Sequence, residues 1–541
     1  MRGAKSAKWV VGAAVVALAA TACGGGGGDS SSDKGAADPN GKVVFDSGEP
    51  QNALQPANTQ ESYGASVIDA LFVGLVKYEP GNGKITNVNA QSVTSSDNKV
   101  WTVKLNPGWK FTNGETVTSK SYVDAWNWAA DTKSNQISSS WFSDIAGYTD
   151  VHPEKGAPKT DKMSGLKVVD DNTFTITLTS ALPYFQYKLG YRAFDPLPAA
   201  FYKDPKAYGE KPVGNGPYKF DSWQHKKTIT VSKNADYKGP DPAKNGGVVF
   251  KNYATEDAAY QDLLSNNLDI IRQIPPSSLA NYKSDLGDRA VTESYSAIQT
   301  INPAFYTKQW KDIDVRVLQG LSMAIDRDTI TKTVLQGTRT PATGWVAQGV
   351  LGYKAGACGE FCSYDPAKAK ALIKAGGGVP GNKITVQYNA DGGHKEWVDA
   401  VCNSIRQATG VDCTGDSKPD FQTDTQIRDA HQVKSFYRSG WVLDYPFNGN
   451  FLRDLYGTGV AGNSGGFSDK KFDALTKEAD QAKTVDESAA AYQKAEAELV
   501  NSFPSIPLWY YNLNSGFSTK VSNVKYDQAG DPILTGVTVK K

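Results

Sequence analysis

Two stretches of the chain alternate strictly between apolar and polar residues. Val100-Trp101-Thr102-Val103-Lys104-Leu105 and Thr173-Phe174-Thr175-Ile176-Thr177-Leu178 each set every second side chain on one face, which is the period of a half-buried strand. Other stretches carry helical spacing. Ser119 to Ala130 is one, and Asp365-Pro366 opens a second, with aspartate as N-cap and proline at the first helical position. Ser468-Asp469-Lys470-Lys471-Phe472 starts a third, capped by Ser468, and Glu487 to Val500 is a fourth. From residue 43 to 300, β-branched or aromatic runs alternate with amphipathic ones, and no repeat at a solenoid period is present. The pattern predicts an α/β chain with two or more sheets.

The amino terminus follows neither period. Arg2, Lys5 and Lys8 precede an apolar run from Trp9 to Ala20, and Thr21-Ala22 lead to Cys23. A basic start, a short apolar run and small residues before a cleavage point make residues 1–22 a secretory signal peptide. The run has 12 residues, short of the roughly 20 that span a bilayer as a helix. Ala20-Thr21-Ala22-Cys23 is similar to the lipobox of bacterial lipoproteins, which implies cleavage before Cys23 and acylation of its thiol, with palmitate as the acyl group. Residues 23–40, five successive glycines and then a Ser/Asp-rich stretch, have nothing to bury and form a flexible tether. The 17 residues after Cys23 span about 23 Å root-mean-square at roughly 5.5 Å × √n. No other apolar run is long enough to cross a bilayer. The expectation is a body held by lipid at the extracytoplasmic face of a bacterial cell membrane.

Removing the leader leaves 55 basic residues against 57 acidic ones, a balance with no footprint for nucleic acid. Aromatic residues make up 11% of the chain, and aromatic walls commonly line ligand clefts. Besides Cys23 there are Cys358, Cys362, Cys402 and Cys413, and export favours their pairing. Three connectivities are possible. Local pairing favours Cys358 with Cys362 and Cys402 with Cys413, the second joining a helix to the strand Gly410-Val411-Asp412-Cys413 that follows it. A zinc site is the rival, but none of the four histidines sits at ligand spacing beside these cysteines.

The stretch Arg438-Ser439-Gly440-Trp441-Val442-Leu443-Asp444-Tyr445-Pro446 sets a base, a bare glycine, an indole and an acid close together. An aspartate accepts hydrogen bonds from an ammonium, an arginine fork grips a carboxylate, and an extended backbone between them can pair with another backbone. Short peptides carry all three features. The order of further segments makes the chain similar to the extracytoplasmic solute-binding proteins of ABC importers, specifically the large peptide-binding family. Its markers here are Leu71-Phe72-Val73-Gly74-Leu75, Trp101 to Leu105, Trp109-Lys110-Phe111-Thr112-Asn113-Gly114, Pro212 to Tyr218, Asp314-Val315-Arg316, Ala324 to Arg327, and Tyr364-Asp365-Pro366. The resemblance runs from about Val43 to the C-terminus.

The resemblance implies a two-lobed, periplasmic-binding-protein-like clamshell of the large type, with an extra domain and two hinge crossovers. Lobe I is then residues 41–72, 195–297 and 513–541, the extra domain 73–194, and lobe II 298–512. The crossovers fall near Glu293 to Ile298 and Tyr511 to Leu513. The implied activity is binding short peptides outside the membrane and delivering them to the permease subunits of an ABC importer, as a monomer without cofactor or metal. Asp444 takes the place of the family aspartate that receives the peptide's amino terminus. Gly440 and Val442 match positions whose backbone pairs with the ligand, and Trp441 forms a pocket wall. Arg438 and His394 match residues that meet the carboxylate, and Tyr511 a tyrosine of the cleft. In the loop from Ser417 to Gln432, Arg428 is a second cation and Phe421 a pocket aromatic.

The same fold, by resemblance, also serves nickel chelates, haem, glutathione and sugars, so peptide follows from Asp444 with Arg438 rather than from the fold. An enzyme is the more distant alternative. Gly462-Asn463-Ser464-Gly465-Gly466 fits the Gly-x-Ser-x-Gly pattern of a secreted peptidase or other hydrolase, yet it follows a glycine-rich loop, and the next helix has its own cap, whereas a nucleophile elbow needs a strand before the serine and a helix directly after.

Overall fold

The computed structural model describes residues 36–541 apart from 81–82 and 461. The signal peptide, Cys23 and the tether through Gly35 lie outside the described residues. Both alternating segments are strands: Val100–Leu105 pairs with Ala90–Thr94 on one side and with Thr173–Thr177 on the other. With Leu166–Asp170 they make a four-stranded antiparallel sheet. Its apolar face packs on the helix Ser119–Ala130, whose Trp126 is fully buried. Phe174 and Phe194 meet that indole edge-to-face, with centroids 5.5 and 5.2 Å away. Each such ring contributes roughly 1.5–3 kcal/mol through burial.

The larger sheet has eleven strands and carries the two-lobed plan. Two long antiparallel strands, Ala290–Pro303 and Ile506–Phe517, run through its middle and pair with each other twice. Val291 to Ser294 lie opposite Asn512 to Ser515, the register then slips, and Ile298 resumes opposite Tyr510. On the first side of the slip the sheet continues through Ile270–Ile271, Lys42–Ser47, Gly247–Asn252, Thr228–Lys233 and Tyr218–Gln224. On the second it continues through Phe436–Val442, Lys383–Asn389 and Asp412–Lys418, with Arg339–Pro341 added at Trp509–Tyr511. A register break in both crossing strands is where a sheet bends most easily. Residues 37–541 nevertheless form one compact unit.

Several sequence markers are joints. Asn215 pairs like a strand with Val73, accepting from its N–H at 3.0 Å and donating to its carbonyl at 2.8 Å. Gly214 allows this approach, since a Cβ there would lie 1.8 Å from the Leu71 carbonyl oxygen. Arg327 is 2% exposed. Its Nε donates to Pro507 O at 2.8 Å and its Nη1 to Ser322 O at 2.9 Å, stitching a crossing strand to the helix Val315–Met323.

The helix Pro366–Ala375 begins as the pattern predicts, with Asp365 accepting from Lys368 N at 2.9 Å. Three local readings are corrected. The third helix spans Lys470–Asp480 and is capped by Asp469 rather than Ser468, because the aspartate reaches the N–H groups of both Lys471 and Phe472. The fourth starts two residues earlier, at Val485, where Thr484 and Glu487 form a reciprocal capping box. Residues 417–432 are not a loop throughout, since Asp420 caps a helix over Phe421–Asp429. Disulfides join Cys358 to Cys362 and Cys402 to Cys413, the second tying the helix Lys395–Thr409 to the strand Asp412–Lys418. Among the described residues no helix is long and apolar enough to cross a membrane.

Candidate functional site

The strand Phe436–Val442 has unequal edges. Along one it pairs with the first crossing strand over its whole length, from Pro303 opposite Phe436 to Ala297 opposite Val442. Along the other, the parallel strand Lys383–Asn389 reaches only Phe436 and Tyr437. Ser439 turns its carbonyl to the crossing strand, where Gln299 Nε2 and Thr300 Oγ1 donate to it at 2.7 and 3.2 Å. Leu443 N donates to Ser296 O at 3.0 Å on the same side. Backbone groups of successive strand residues alternate between edges. Those of Arg438, Gly440 and Val442 therefore turn to the edge that the parallel strand has left, a template for an added strand. On one face of the strand Gly440 lets two polar groups approach its backbone: a Cβ there would meet Arg438 Nη1 at 3.3 Å and the Tyr511 hydroxyl at 3.4 Å.

Asp444 stands just beyond one end of this edge. It is partly buried and joins no ion pair among the described residues; its Oδ2 accepts from Asn450 Nδ2 at 2.9 Å, and its N–H donates to Asn450 Oδ1 at 2.9 Å. The same Asn450 oxygen accepts from Trp441 Nε1 at 3.2 Å, which fixes the indole beside the acid. Burial, helped by the nearby Asp454 carboxylate, pushes the Asp444 carboxyl up to about 7, and the Asn450 bond only partly opposes this. The cations whose charge reaches it are engaged elsewhere, Arg192 with Asp69 at 3.0 Å and Lys188 with Asp144 at 2.5 Å. Two tyrosines lie within the field of the acid: its charge adds to the burial that raises the hydroxyl pKa of Tyr78 and Tyr191, and the Tyr191 ring stacks on Trp141 at 3.9 Å.

At the other end lies Arg438, 9% exposed. Its Nε donates to Asn389 Oδ1 at 3.0 Å, its guanidinium carbon lies 5.6 Å over the Phe421 ring, and no carboxylate pairs with it among the described residues. Burial draws its pKa down. His394 occupies the N-cap position of the helix Lys395–Thr409 without a side-chain capping bond, and its Nδ1 accepts from Trp397 Nε1 at 3.1 Å, leaving the proton on Nε2. Burial first, then the Arg438 and Arg339 charges, hold it well below the ordinary histidine range, so it is a neutral donor. It lines a cavity of about 400 Å³ with Pro276, Ser277 and Tyr388. Tyr511 donates to Gln299 Oε1 at 2.6 Å, while its neighbours Trp509 and Tyr510 are core residues.

One of the predicted cations already has a partner. Arg428 forms an ion pair with the fully buried Asp424 at 3.0 Å, so its charge is answered within its own helix. Phe421, 37% exposed at the start of that helix, lies near both arginines. Sequence reasoning missed Asn450, Asn389 and Arg339. Asn450 carries a faint signal, six residues after Asp444 in the helix Gly449–Tyr456. Arg339 carries none, since its partner Tyr511 is far along the chain.

The family model "Bacterial extracellular solute-binding proteins, family 5 Middle" matches residues 84–463. The oligopeptide-binding protein OppA of Bacillus subtilis is 27% identical over 85% of this chain and 85% of its own. The periplasmic murein peptide-binding protein MppA of Escherichia coli is 28% identical over 85% of this chain and 86% of its own. Among solved structures, Haemophilus influenzae OppA in complex with RPPGFSPFR superposes with a TM-score of 0.82 at 22% identity, covering 94% of this chain and 100% of that one.

Proposed function

The chain belongs to the bacterial extracellular solute-binding proteins of family 5, and from that premise we propose that it binds short peptides outside the cell membrane and delivers them to an ABC importer. The observation that carries the reading is the strand edge from Arg438 to Val442, open between an acid at Asp444 and a base at Arg438 that have no ion-pair partner among the described residues. A peptide laid on that edge has its ammonium at Asp444 and runs toward Arg438 and the neutral His394, its backbone paired with Gly440 and Val442. Pairing through backbone reads no side chain, which suits a receptor for many sequences. Trp441, Phe421 and Tyr511 serve as walls. Arg428, held by Asp424, acts on the carboxylate only through its field. The names of the relatives, two of which bind oligopeptides or murein peptides, support the same reading.

Lobes at 41–72, 195–297 and 513–541 against 298–512, with 73–194 as an extra domain, close over the ligand by bending where the crossing strands slip register. Acylated Cys23 holds a monomer at the membrane near its permease. Calorimetric titration with free and N-acetylated peptides tests the central claim. Free peptides should bind and acetylation should cost roughly 2–5 kcal/mol, the range for truncated buried charge pairs; equal affinities would exclude Asp444 as an amino-terminal anchor. For the anchor, a Cys23→Ser variant should leave the membrane fraction as a folded protein, and wild-type protein free in the medium with an unmodified cysteine would overturn it.

A further inference from the structure

We propose that Arg339 is a carboxylate receptor in the cavity beside Val442 and selects peptides that bring an acidic group into it, a reading that rests on the peptide-binding function above. Arg339 opens the short strand Arg339–Pro341 and pairs there with Tyr511 of the second crossing strand. Its guanidinium carbon lies 4.2 Å over the Tyr511 ring, and its Nη1 donates to Thr338 O at 2.7 Å and Asn512 O at 3.3 Å. These contacts fix the plane of the group. They leave Nε and Nη2 without an acceptor among the described residues, and that edge is the fork that meets both oxygens of a carboxylate.

The cavity holds about 170 Å³ and is lined by Arg339, Arg272, Tyr295, Val442, Asn512 and Asp531, among others. Arg272 is committed: its Nη1 donates to Asp531 at 2.7 Å and its Nη2 to Ser66 Oγ at 2.7 Å. Two guanidiniums thus line the space against one carboxylate, and the unanswered charge is that of Arg339. Glu256 lies within its field but forms no ion pair with it. The Tyr295 hydroxyl, on a ring 5.8 Å from that of Tyr511, has no partner among the described residues and is a second donor for the same guest. Below the range of whole-ligand pockets, this volume suits a side chain or a chain end. Val442, 38% exposed on the open edge, connects the cavity to the ligand's backbone.

The carboxylate can come from an acidic side chain or from the terminus of a very short peptide, and titration separates the two. Wild type, Arg339→Gln and Arg339→Lys, each first shown to melt cooperatively, are titrated with trialanine carrying Glu or Gln at each position in turn, as free acids and as C-terminal amides. At one position wild type should favour Glu over Gln by about ten- to a hundredfold, the range of a charge-assisted hydrogen bond. Arg339→Gln should abolish that ratio and Arg339→Lys retain part of it. If the ratio that collapses is acid over amide, the guest is the terminal carboxylate and the receptor stands. If peptides bind and neither ratio differs between wild type and Arg339→Gln, the proposal is wrong. Failure of every peptide to bind wild type would instead sink the peptide-binding reading, and this inference with it.

Discussion

Two sets of buried charges in this protein are treated in opposite ways. In the first, Asp144 accepts from Lys188 at 2.5 Å and from Arg453 at 2.6 Å, while Arg453 also faces Asp480 at 3.5 Å. Tyr184 and Tyr492 complete the set, each donating to Asp480, and Arg453 Nη1 donates to Tyr184. The network ties residues 144–188 to the helices that carry Arg453, Asp480 and Tyr492. In the second set, Asp444, Arg438 and Arg339 are partly or wholly covered and, among the described residues, meet neutral groups only. Burial pushes both Asp144 and Asp444 up, but two cations more than offset it at Asp144, holding it below the usual carboxylate range, and none does so at Asp444. A charge sealed with its partners is architecture. One left open along a free strand edge is fitted for a partner that comes and goes.

That difference is open to a direct break. Arg453→Met leaves Asp144 and Asp480 short of their shared cation, and removing one partner from a buried network costs about 3–5 kcal/mol. Urea unfolding should show a lower midpoint by that amount. Asp444→Asn, in the same assay without ligand, should leave stability unchanged or raise it, because it removes a desolvated charge that nothing answers. A stable Arg453→Met variant, or an Asp444→Asn variant that loses clearly more than about 0.5 kcal/mol, the scale of an ordinary surface effect, would erase the distinction. In peptide titrations the order reverses, with Asp444→Asn losing about 2–5 kcal/mol of affinity, or roughly 30-fold to several thousandfold.

The sequence carries much of this plan, but unevenly. Period-two runs marked the strands Val100–Leu105 and Thr173–Thr177 because one face of each is buried. The order of short markers pointed to the two-lobed fold, and the structure explains some of them as contacts, such as Asn215 on Val73. Local chemistry around Arg438 and Asp444 was legible because acid, base and strand lie within seven residues. What was not legible is pairing. Asp424 answers Arg428 one helical turn away, a contact hidden while residues 417–432 read as a loop. Nothing local tells that Arg453 meets Asp144, or that Arg339 stacks on Tyr511, because folding alone brings such distant segments together.

At the other end of the edge the expected effect is smaller. Arg438→Met should cost about 1.5–3 kcal/mol, and only for peptides whose carboxylate reaches it. Trialanine through hexaalanine, as acids and amides, find that length: a preference for acid over amide should vanish in the variant at one or two lengths and persist at others. Loss of affinity at all lengths, amides included, would mean that Arg438 supports the strand rather than the ligand.

The smallest effect is the most diagnostic, because Asp144 and Asp444 respond to pH with opposite signs. Asp144 is held below its unfolded value, so its stabilisation is present above the ordinary carboxylate range and is lost as pH falls through its folded pKa. Asp444 has a folded pKa of about 7, above its unfolded value. Its contribution is therefore greatest below about pH 4 and declines as pH rises toward 7, where the native carboxyl must ionise without a partner. A peptide ammonium binds the ionised form. Binding must then release a proton, and affinity should rise about fivefold from pH 6 to pH 7 as the ionised fraction of a group with pKa near 7 grows. Above about pH 8 it should fall again, as the peptide's own amine loses its proton. Asp444→Asn should flatten the acid limb and leave the alkaline one. Calorimetry in buffers of different ionisation enthalpy, run across this range, reads the released proton directly; an acid limb that survives in Asp444→Asn would assign the titration to another group and leave Asp444 without its role as the anchor.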